Sequence, residues 1–194
     1  AAQAEKTIQG LKSSNLVKDI YLLVTEDTEV PLQGCRILHV PALNSTATMR
    51  IIAAHSDADY TLFYTKYTTL KLGMFALERM TRIEEDSCAG MVYADHYQVS
   101  EGIQKNAPVI DYQFGSLRDD FNFGSVLLYK ASALQEAVTR MKTDYQFAGL
   151  YDLRLKLSQK ESLVHINEYL YSEIENDTRK SGEKIFDYVD PKNR

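Results

Sequence analysis

Short apolar runs alternate with segments of helical periodicity along this chain of 194 residues. The apolar runs predict strands at 18–24, 35–40, 60–64, 89–97, 124–130 and 162–171. The periodic segments predict helices at 3–12, 45–56, 72–86, 131–141 and 150–159, with Asn44 or Ser45 capping the second. Section 98–122 is predicted to be irregular, with one candidate short strand at 107–112. This alternation is typical of an α/β fold, in which helices on both faces cover a mostly parallel mixed sheet.

The two ends of the chain differ from the middle. The first predicted element is a helix with no strand before it, so we expect an opening strand to precede Ala1 in a longer protein. Residues 173–194 are polar and charged, and we interpret them as a terminal helix or linker that leaves the domain. The predicted organisation is therefore a domain at 1–172, a tail at 173–194 and a further domain beyond Arg194.

Composition and charge exclude several classes of protein. The net charge of -5 and the pI of about 5.4 argue against a nucleic-acid-binding surface, which requires a basic patch. No apolar run approaches the roughly 18 residues of a membrane-spanning helix, and no signal peptide begins the chain. Cys35 and Cys88 fit no metal-ligand spacing and are interpreted as reduced thiols. The expected compartment is the cytoplasm, including the inner face of the membrane.

The end of the third predicted strand is a position where open α/β sheets commonly carry their chemistry. Here it holds Thr65, Lys66 and Tyr67, which include no carboxylate, histidine or cysteine. Glycine-rich dinucleotide and phosphate loops, the Gly-x-Ser-x-Gly elbow and the His-Glu-x-x-His zinc motif are also absent from the sequence. Oxidoreductase, nucleoside triphosphatase, serine hydrolase and zinc protease functions therefore have no support.

Two groups of polar residues lie near the ends of the early strands. Glu26 and Asp27 follow a buried strand, where they either accept hydrogen bonds from a ribose or base or are solvated loop acids. Arg50 lies on the second helix, where its guanidinium either binds a diphosphate or is an ordinary surface charge.

Asp95 and His96 lie at the end of the fourth predicted strand. An adjacent Asp and His can bind a metal or transfer protons, but neighbours on an extended chain point to opposite faces. A structural role is the alternative for both residues. His165, on the last predicted strand, is interpreted as a satisfied core or edge histidine.

The segment from Gly115 to Gly124 is rich in polar side chains. Arg118, Asp119 and Asp120 suit a loop over a polar ligand, or equally a helix start capped by Ser116. Asp152 lies near the start of the fifth helix, where it is either favoured by the helix dipole or part of a site.

The order of elements resembles that of bacterial family 2 glycosyltransferases of the GT-A fold. The segment YDLRLKLSQKESLVHINEYLY, 151–171, is similar to the closing segment of that family. MVYADHY resembles the Tyr-Ser-Asp strand end of the family. FGSVLLYKASALQEAV resembles the strand and helix beside the family's acceptor site, and DIYLLVTEDTEV resembles the family's second strand. The resemblance covers the chain from about residue 4 to residue 173.

The resemblance implies transfer of a sugar from a nucleotide-diphospho-sugar to a glycan acceptor in bacterial polysaccharide synthesis, usually with Mg²⁺ or Mn²⁺. It implies a carboxylate base that takes the proton of the acceptor hydroxyl, and Asp152 or Asp120 is the candidate for that role in this sequence. Its implied acceptor-side residues are Arg118 and Asp119. The residues that the resemblance implies for binding the nucleotide-sugar are Thr25, Glu26, Asp27, Arg50, Lys66 and Asp95.

The sequence departs from the family at three catalytic positions. The metal-binding Asp-x-Asp falls on Thr65 to Tyr67, the base position on Leu150, and the closing histidine on Ser172 or Glu173. No metal ligand is therefore assigned. Either Lys66 replaces part of the metal's charge, or the domain has lost the metal-dependent reaction. The alternative function is a non-catalytic module of a larger glycosyltransferase that binds a glycan or nucleotide or acts as a scaffold.

Overall fold

The computed structural model describes residues 2–25, 32–118 and 120–175, which form five helices and eight strands. In chain order the elements are α1 (Ala2–Lys12), β1 (Tyr21–Val24), β2 (Arg36–His39), α2 (Thr46–His55), β3 (Tyr60–Tyr64), β4 (Thr69–Leu72), α3 (Ala76–Ser87), β5 (Met91–Ser100), β6 (Ile103–Ala107), β7 (Val126–Lys130), α4 (Ala131–Thr139), α5 (Gly149–Ser158) and β8 (Leu163–Glu175).

All six predicted strands and all five predicted helices are present, with small shifts at their ends. The strand predicted at 60–64 has the same bounds in the structure. Ser45 is the N-cap of α2, and its side chain accepts a hydrogen bond from the Thr48 N–H at 3.1 Å. The cap satisfies one of the helix's unpaired donors, which confirms the second of the two predicted cap residues.

Two strands were not predicted. The helix predicted at 72–86 begins later, at Ala76, because 69–72 form β4. Section 98–122 is not wholly irregular, since β5 runs to Ser100 and β6 follows it. The short strand predicted at 107–112 is wrong, because β6 ends at its first residue, Ala107. The turn between β5 and β6 has positive φ at Glu101 (53°) and Gly102 (77°), as primed hairpin turns require.

The main sheet is mixed, with strand order β3-β7-β5-β8-β4 and with β6 paired to β5. Only β5 and β8 pair in parallel among its described strands, while β3·β7, β5·β7, β5·β6 and β4·β8 are antiparallel. The prediction of a mostly parallel sheet is therefore wrong. Within the described residues no helix separates β5 from β6, so this pair forms an antiparallel hairpin, which needs no crossover. Strands β1 and β2 form a separate parallel pair.

Alternate residues of β5 contribute to two apolar clusters. Met91 and Tyr93 pack in a cluster with residues of α2, α4 and α5. Val92 and Ala94 pack in a second cluster that contains Met80 of α3. All four of these residues have no exposed surface, so this part of β5 forms the centre of the core. It fixes the position of Asp95 and His96, which come next on the same strand.

The last strand extends past the predicted domain boundary. Glu173 to Glu175, assigned above to the tail, belong to β8, where Glu173 pairs with Gln98 of β5 and Leu70 of β4. Residues 176–194 lie outside the described part of the chain. Within the described part, no helix has both the length and the apolar character needed to cross a membrane.

Candidate functional site

The carboxyl end of β3 meets polar side chains of three other strands. Tyr64, the last residue of β3, pairs with Val126 at the start of β7, and Leu127 pairs with Tyr93 of β5. The Thr65 N–H donates to the Ser125 carbonyl at 3.0 Å, which continues the pairing by one residue. Asp95 and His96 follow Tyr93 closely along β5, so they lie at the edge of the sheet where β3 ends.

Asp95 belongs to a buried network that reaches a surface loop. One of its carboxylate oxygens lies 2.8 Å from Nε2 of His165 and accepts the Val109 N–H at 2.9 Å. Nδ1 of His165 lies 2.6 Å from Oδ1 of Asp111. The ring of His165 stacks on Tyr93, with centroids 5.2 Å apart and planes 12° apart. The network therefore joins β5 and β8 to the loop that follows β6.

His96 contacts a different set of residues, as the alternation along an extended chain predicts. Its Nε2 lies 3.3 Å from Oε1 of Glu173, and its ring stacks on Tyr171 with centroids 4.9 Å apart. Nδ1 of His96 is buried and has no hydrogen-bond partner among the described residues. Burial lowers the pKa of His96; the Glu173 carboxylate opposes this shift and the Lys66 ammonium adds to it. The imidazole is therefore neutral at neutral pH.

Gly124 allows this arrangement because a side chain there would not fit. Its φ is +75°, and a Cβ atom would lie 2.5 Å from the Tyr171 hydroxyl oxygen. That hydroxyl accepts hydrogen bonds from the N–H groups of Ser125, at 2.9 Å, and Val126, at 3.3 Å. Tyr171 thus holds the start of β7 against β8, directly beside His96.

Lys66 is the predicted site residue that the structure brings to this cluster. It lies in an exposed turn after β3, and its charge is close enough to His96 to lower the pKa of the imidazole. The turn offers no carboxylate, whereas Mg²⁺ and Mn²⁺ take oxygen ligands. In residues 2–25, 32–118 and 120–175 no group of three or more His, Cys, Asp or Glu side chains is arranged to hold a metal. The described residues therefore do not fit the metal that the resemblance implies.

Arg50 and Thr25, two of the other predicted nucleotide-sugar residues, lie apart from this cluster. Arg50 forms an ion pair with Asp144 and donates to the Met141 carbonyl at 3.2 Å, so it ties α2 to the segment after α4. Thr25 is exposed at the end of β1, in the separate two-stranded sheet. Glu26 and Asp27 lie outside the described residues.

The helix position expected to carry the base, Leu150, holds an apolar side chain that packs against the core, and Gly149 before it has no room for a side chain. A Cβ atom at Gly149 would lie 2.3 Å from the Ser45 carbonyl carbon, because α5 begins against the start of α2. Asp152, in the first turn of α5, is buried and lies 3.6 Å from the Lys156 ammonium. This charge pair gives Asp152 a structural partner on its own helix.

Two of the three predicted residues of the polar loop line a surface depression of about 700 Å³. Arg118 and Asp120 form an exposed ion pair across 3.1 Å. Asp119 lies outside the described residues. The other polar side chains around the depression are Asp111, Gln113, Ser116 and Asn122.

Sequence reasoning did not find Asp111 or Glu173. Asp111 gave no signal because its loop has no periodicity and its partner is 54 residues away. Glu173 was placed in the tail because β8 becomes polar towards its end. The register shifts between β5 and β8 on both sides of Asp95 also cannot be deduced from sequence spacing.

The mixed sheet with its helices is similar to the fold of glycosyltransferases. Among solved structures, that of residues 1–349 of S. aureus TarS matches with a TM-score of 0.57 and 10% sequence identity. The match covers 89% of this chain and 58% of the TarS chain, so this chain spans little more than half of that structure. At this identity the similarity shows the fold alone. Sequence comparison finds no matching protein family and no matching curated protein.

Proposed function

We propose that this chain is a GT-A-like, family 2-like glycosyltransferase domain that binds a nucleotide-diphospho-sugar at the carboxyl end of β3. The observation that carries the proposal is that Lys66 closely follows β3, at the end of the sheet where β5 carries Asp95 and His96, and is exposed there. In α/β sheets, ligands bind in the crevice at the carboxyl ends of strands. TarS, which has a similar fold, is a glycosyltransferase, and this similarity supports the same class of activity.

Lys66 is the proposed partner of the donor diphosphate. Its exposed ammonium can contact phosphate oxygens as a point charge, in the place where the family carries a metal-binding acid pair. Asp95 and Thr25, with Glu26 and Asp27, remain proposed donor-side residues. Arg50 is a weaker candidate, because its guanidinium already binds Asp144 and the Met141 carbonyl.

The proposed acceptor is a glycan that lies over the polar loop. Arg118, Asp119 and Asp120 are its proposed contacts, and the depression beside them offers carboxylate and amide groups that accept hydrogen bonds from sugar hydroxyls. In this proposal the product belongs to bacterial polysaccharide synthesis at the cytoplasmic face of the membrane. A further domain beyond Arg194 is part of the proposal.

A non-catalytic binding or scaffolding module is the second candidate, and exposed apolar residues favour it. Met74 and Phe75, between β4 and α3, are 86% and 68% exposed, and Phe75 has φ of 57°. A bulky side chain rarely adopts this backbone conformation, and here burial does not offset its cost. A partner domain that covers this surface would bury Met74 and Phe75, and that burial would offset the cost of the conformation.

Calorimetric titration distinguishes the two candidates. The purified chain is titrated with uridine and guanosine diphosphates and their common sugar conjugates, with and without Mn²⁺. We expect binding without Mn²⁺ that weakens about tenfold or more in Lys66→Met, because a charge-assisted contact is lost. Lys105→Met on β6 is the matched control and should bind like the wild type, since Lys105 is exposed on the β5–β6 hairpin.

Binding that requires Mn²⁺ would contradict the role given to Lys66. Absence of binding to every nucleotide would instead favour the scaffolding module.

A further inference from the structure

Asp111 is an exposed carboxylate that two buried side chains hold in place. Its side chain is 72% exposed, whereas those of His165 and Asp95 are 3% and 9% exposed. The His165 ring spans the two acids, with its nitrogens 2.6 Å from Asp111 and 2.8 Å from Asp95. The two nitrogens of the ring therefore each contact one carboxyl group, and His165 bridges Asp95 and Asp111. One oxygen of Asp111 is thus occupied by His165, and the other faces outward.

The backbone around Asp111 is fixed by side chains of β5. The Tyr93 hydroxyl donates to the Ile110 carbonyl at 2.9 Å and accepts the Tyr112 N–H at 2.7 Å. Burial raises the pKa of Tyr93 to about 12, so the phenol keeps the proton that it donates. Asp95 holds the Val109 N–H in the same way. Both neighbours of Asp111 are therefore tied to the core of the sheet, which orients its carboxylate in advance of any ligand.

Asp111 also lies where an acceptor would bind. It lines the same depression as Arg118 and Asp120, which form an ion pair with each other. Its network ends at Asp95, and the next residue, His96, belongs to the cluster beside Lys66. The proposed acceptor loop and the proposed donor site therefore contact consecutive residues of β5, at the same end of the sheet but through different partners.

The other candidate bases are less suitable. Gly149 cannot carry a side chain without displacing the start of α2, and Leu150 is apolar. Asp152 is buried beside Lys156, and the carboxylate of Asp120 contacts the Arg118 guanidinium. Asp111 combines an exposed oxygen with a fixed position.

From these contacts we infer that Asp111 is the base that accepts the proton of the attacking hydroxyl, and that His165 and Asp95 are positioning residues. This inference rests on the proposed glycosyl transfer. The hydroxyl oxygen forms a bond to the anomeric carbon of the donor sugar, and the bond from that carbon to the diphosphate oxygen breaks. The electron pair leaves with the nucleoside diphosphate, and the hydroxyl proton passes to the outward oxygen of Asp111. Nothing is oxidised or reduced.

The test measures hydrolysis, so that water serves as the acceptor and no acceptor glycan has to be known. A uridine or guanosine diphosphate sugar that binds in calorimetry is incubated with the chain. Release of the nucleoside diphosphate is followed from about pH 4 to about pH 9, an interval that spans the ordinary pKa values of carboxylates and imidazoles. We expect Asp111→Asn to lower turnover about 100-fold or more with an unchanged dissociation constant for the donor. The decline of the wild-type rate towards acid pH should disappear in this variant.

Two further variants separate a base from a merely structural residue. Asp86→Asn, on the exposed end of α3, is the matched control and should have wild-type turnover. His165→Gln should lower turnover less than Asp111→Asn. It should also change the pH at which turnover declines on the acid side, without changing donor affinity. If His165→Gln does not fold, Asp111→Asn still decides, because the Asp111 side chain is largely exposed.

The outcomes separate this inference from the proposed function. Equal turnover and equal pH profiles in Asp111→Asn and wild type overturn the base assignment and leave donor binding intact. Donor binding without any hydrolysis by the wild type also overturns it and favours the non-catalytic module. Failure of every donor to bind removes the proposed function and this inference together.

Discussion

Substitution of Gly124 by Ala tests whether Tyr171 holds the start of β7 as the structure shows. The new Cβ atom would lie 2.5 Å from the Tyr171 hydroxyl oxygen, and the next nearest atoms, on Ala94 and His96, lie at 3.5 Å, which is ordinary contact. Tyr171 is 2% exposed, so it has little room to move away. The hydroxyl would be displaced from the Ser125 and Val126 N–H groups.

The expected loss of stability has two parts. An alanine in the left-handed region costs about 1–2 kcal/mol, and overpacking of a filled core adds about 1–3 kcal/mol. Gly102→Ala isolates the first part, because Gly102 has a similar φ of +77° with no atom within 4 Å of the added Cβ. Gly124→Ala should therefore be less stable than Gly102→Ala by about 1–3 kcal/mol.

Urea unfolding followed by far-ultraviolet circular dichroism measures the free energy of unfolding of both variants. We expect the urea midpoint to shift and the slope of the free energy against urea concentration to stay unchanged. Tyr171→Phe alone should cost about 1–3 kcal/mol, because two buried N–H groups lose their acceptor. Combined with Gly124→Ala it should cost less than the sum of the two single changes, since the phenyl ring removes the close contact. Equal stability of Gly124→Ala and Gly102→Ala would refute the packing described here.

Two further predictions concern the histidine cluster and the loop beside it. Burial lowers the pKa of His96 below its ordinary value of 6.5, so the unfolded chain binds this proton more tightly and the free energy of unfolding should fall as pH decreases below about 6.5. His96→Gln should weaken that dependence and the exposed His55→Gln should keep it; an unchanged dependence in His96→Gln would count against the burial of His96. Tyr93→Phe removes the acceptor of the Tyr112 N–H, so amide hydrogen exchange at Tyr112 should accelerate up to about tenfold. A wild-type exchange rate there would show that Tyr93 does not hold the loop.

Sequence patterns predicted the elements better than their pairing. The run YTLFY and the Ser45 cap each depend on a few adjacent residues, and both are confirmed. Strand β4 was missed because its four residues continue directly into a helical pattern. The β5–β6 hairpin was missed because its turn uses Glu101 at a positive φ, where asparagine or aspartate followed by glycine is the usual signal. The direction of each strand in the sheet is set by contacts that are distant in sequence.

The candidate site could be predicted only where its residues follow a strand directly. Lys66 and Asp95 were proposed in this way, because the end of a strand is a place where a sheet exposes its polar groups, although β5 continues past Asp95 to Ser100. Asp111 and Glu173 depend on partners that lie far away along the chain, His165 and His96, so no local pattern identifies them. Arg50 satisfied the local criterion, but its side chain contacts Asp144, a neighbour that spacing alone does not reveal.

Nuclear magnetic resonance titration with uridine diphosphate tests most directly whether a nucleotide binds at the end of β3. Binding beside the buried His96 ring should shift its resonances and the backbone amides of Thr65, Lys66 and Tyr67, without added Mn²⁺. The exposed His55, on α2, should not change. Shifts confined to other parts of the chain, or no shifts with uridine or guanosine diphosphate, would contradict a donor site built around Lys66.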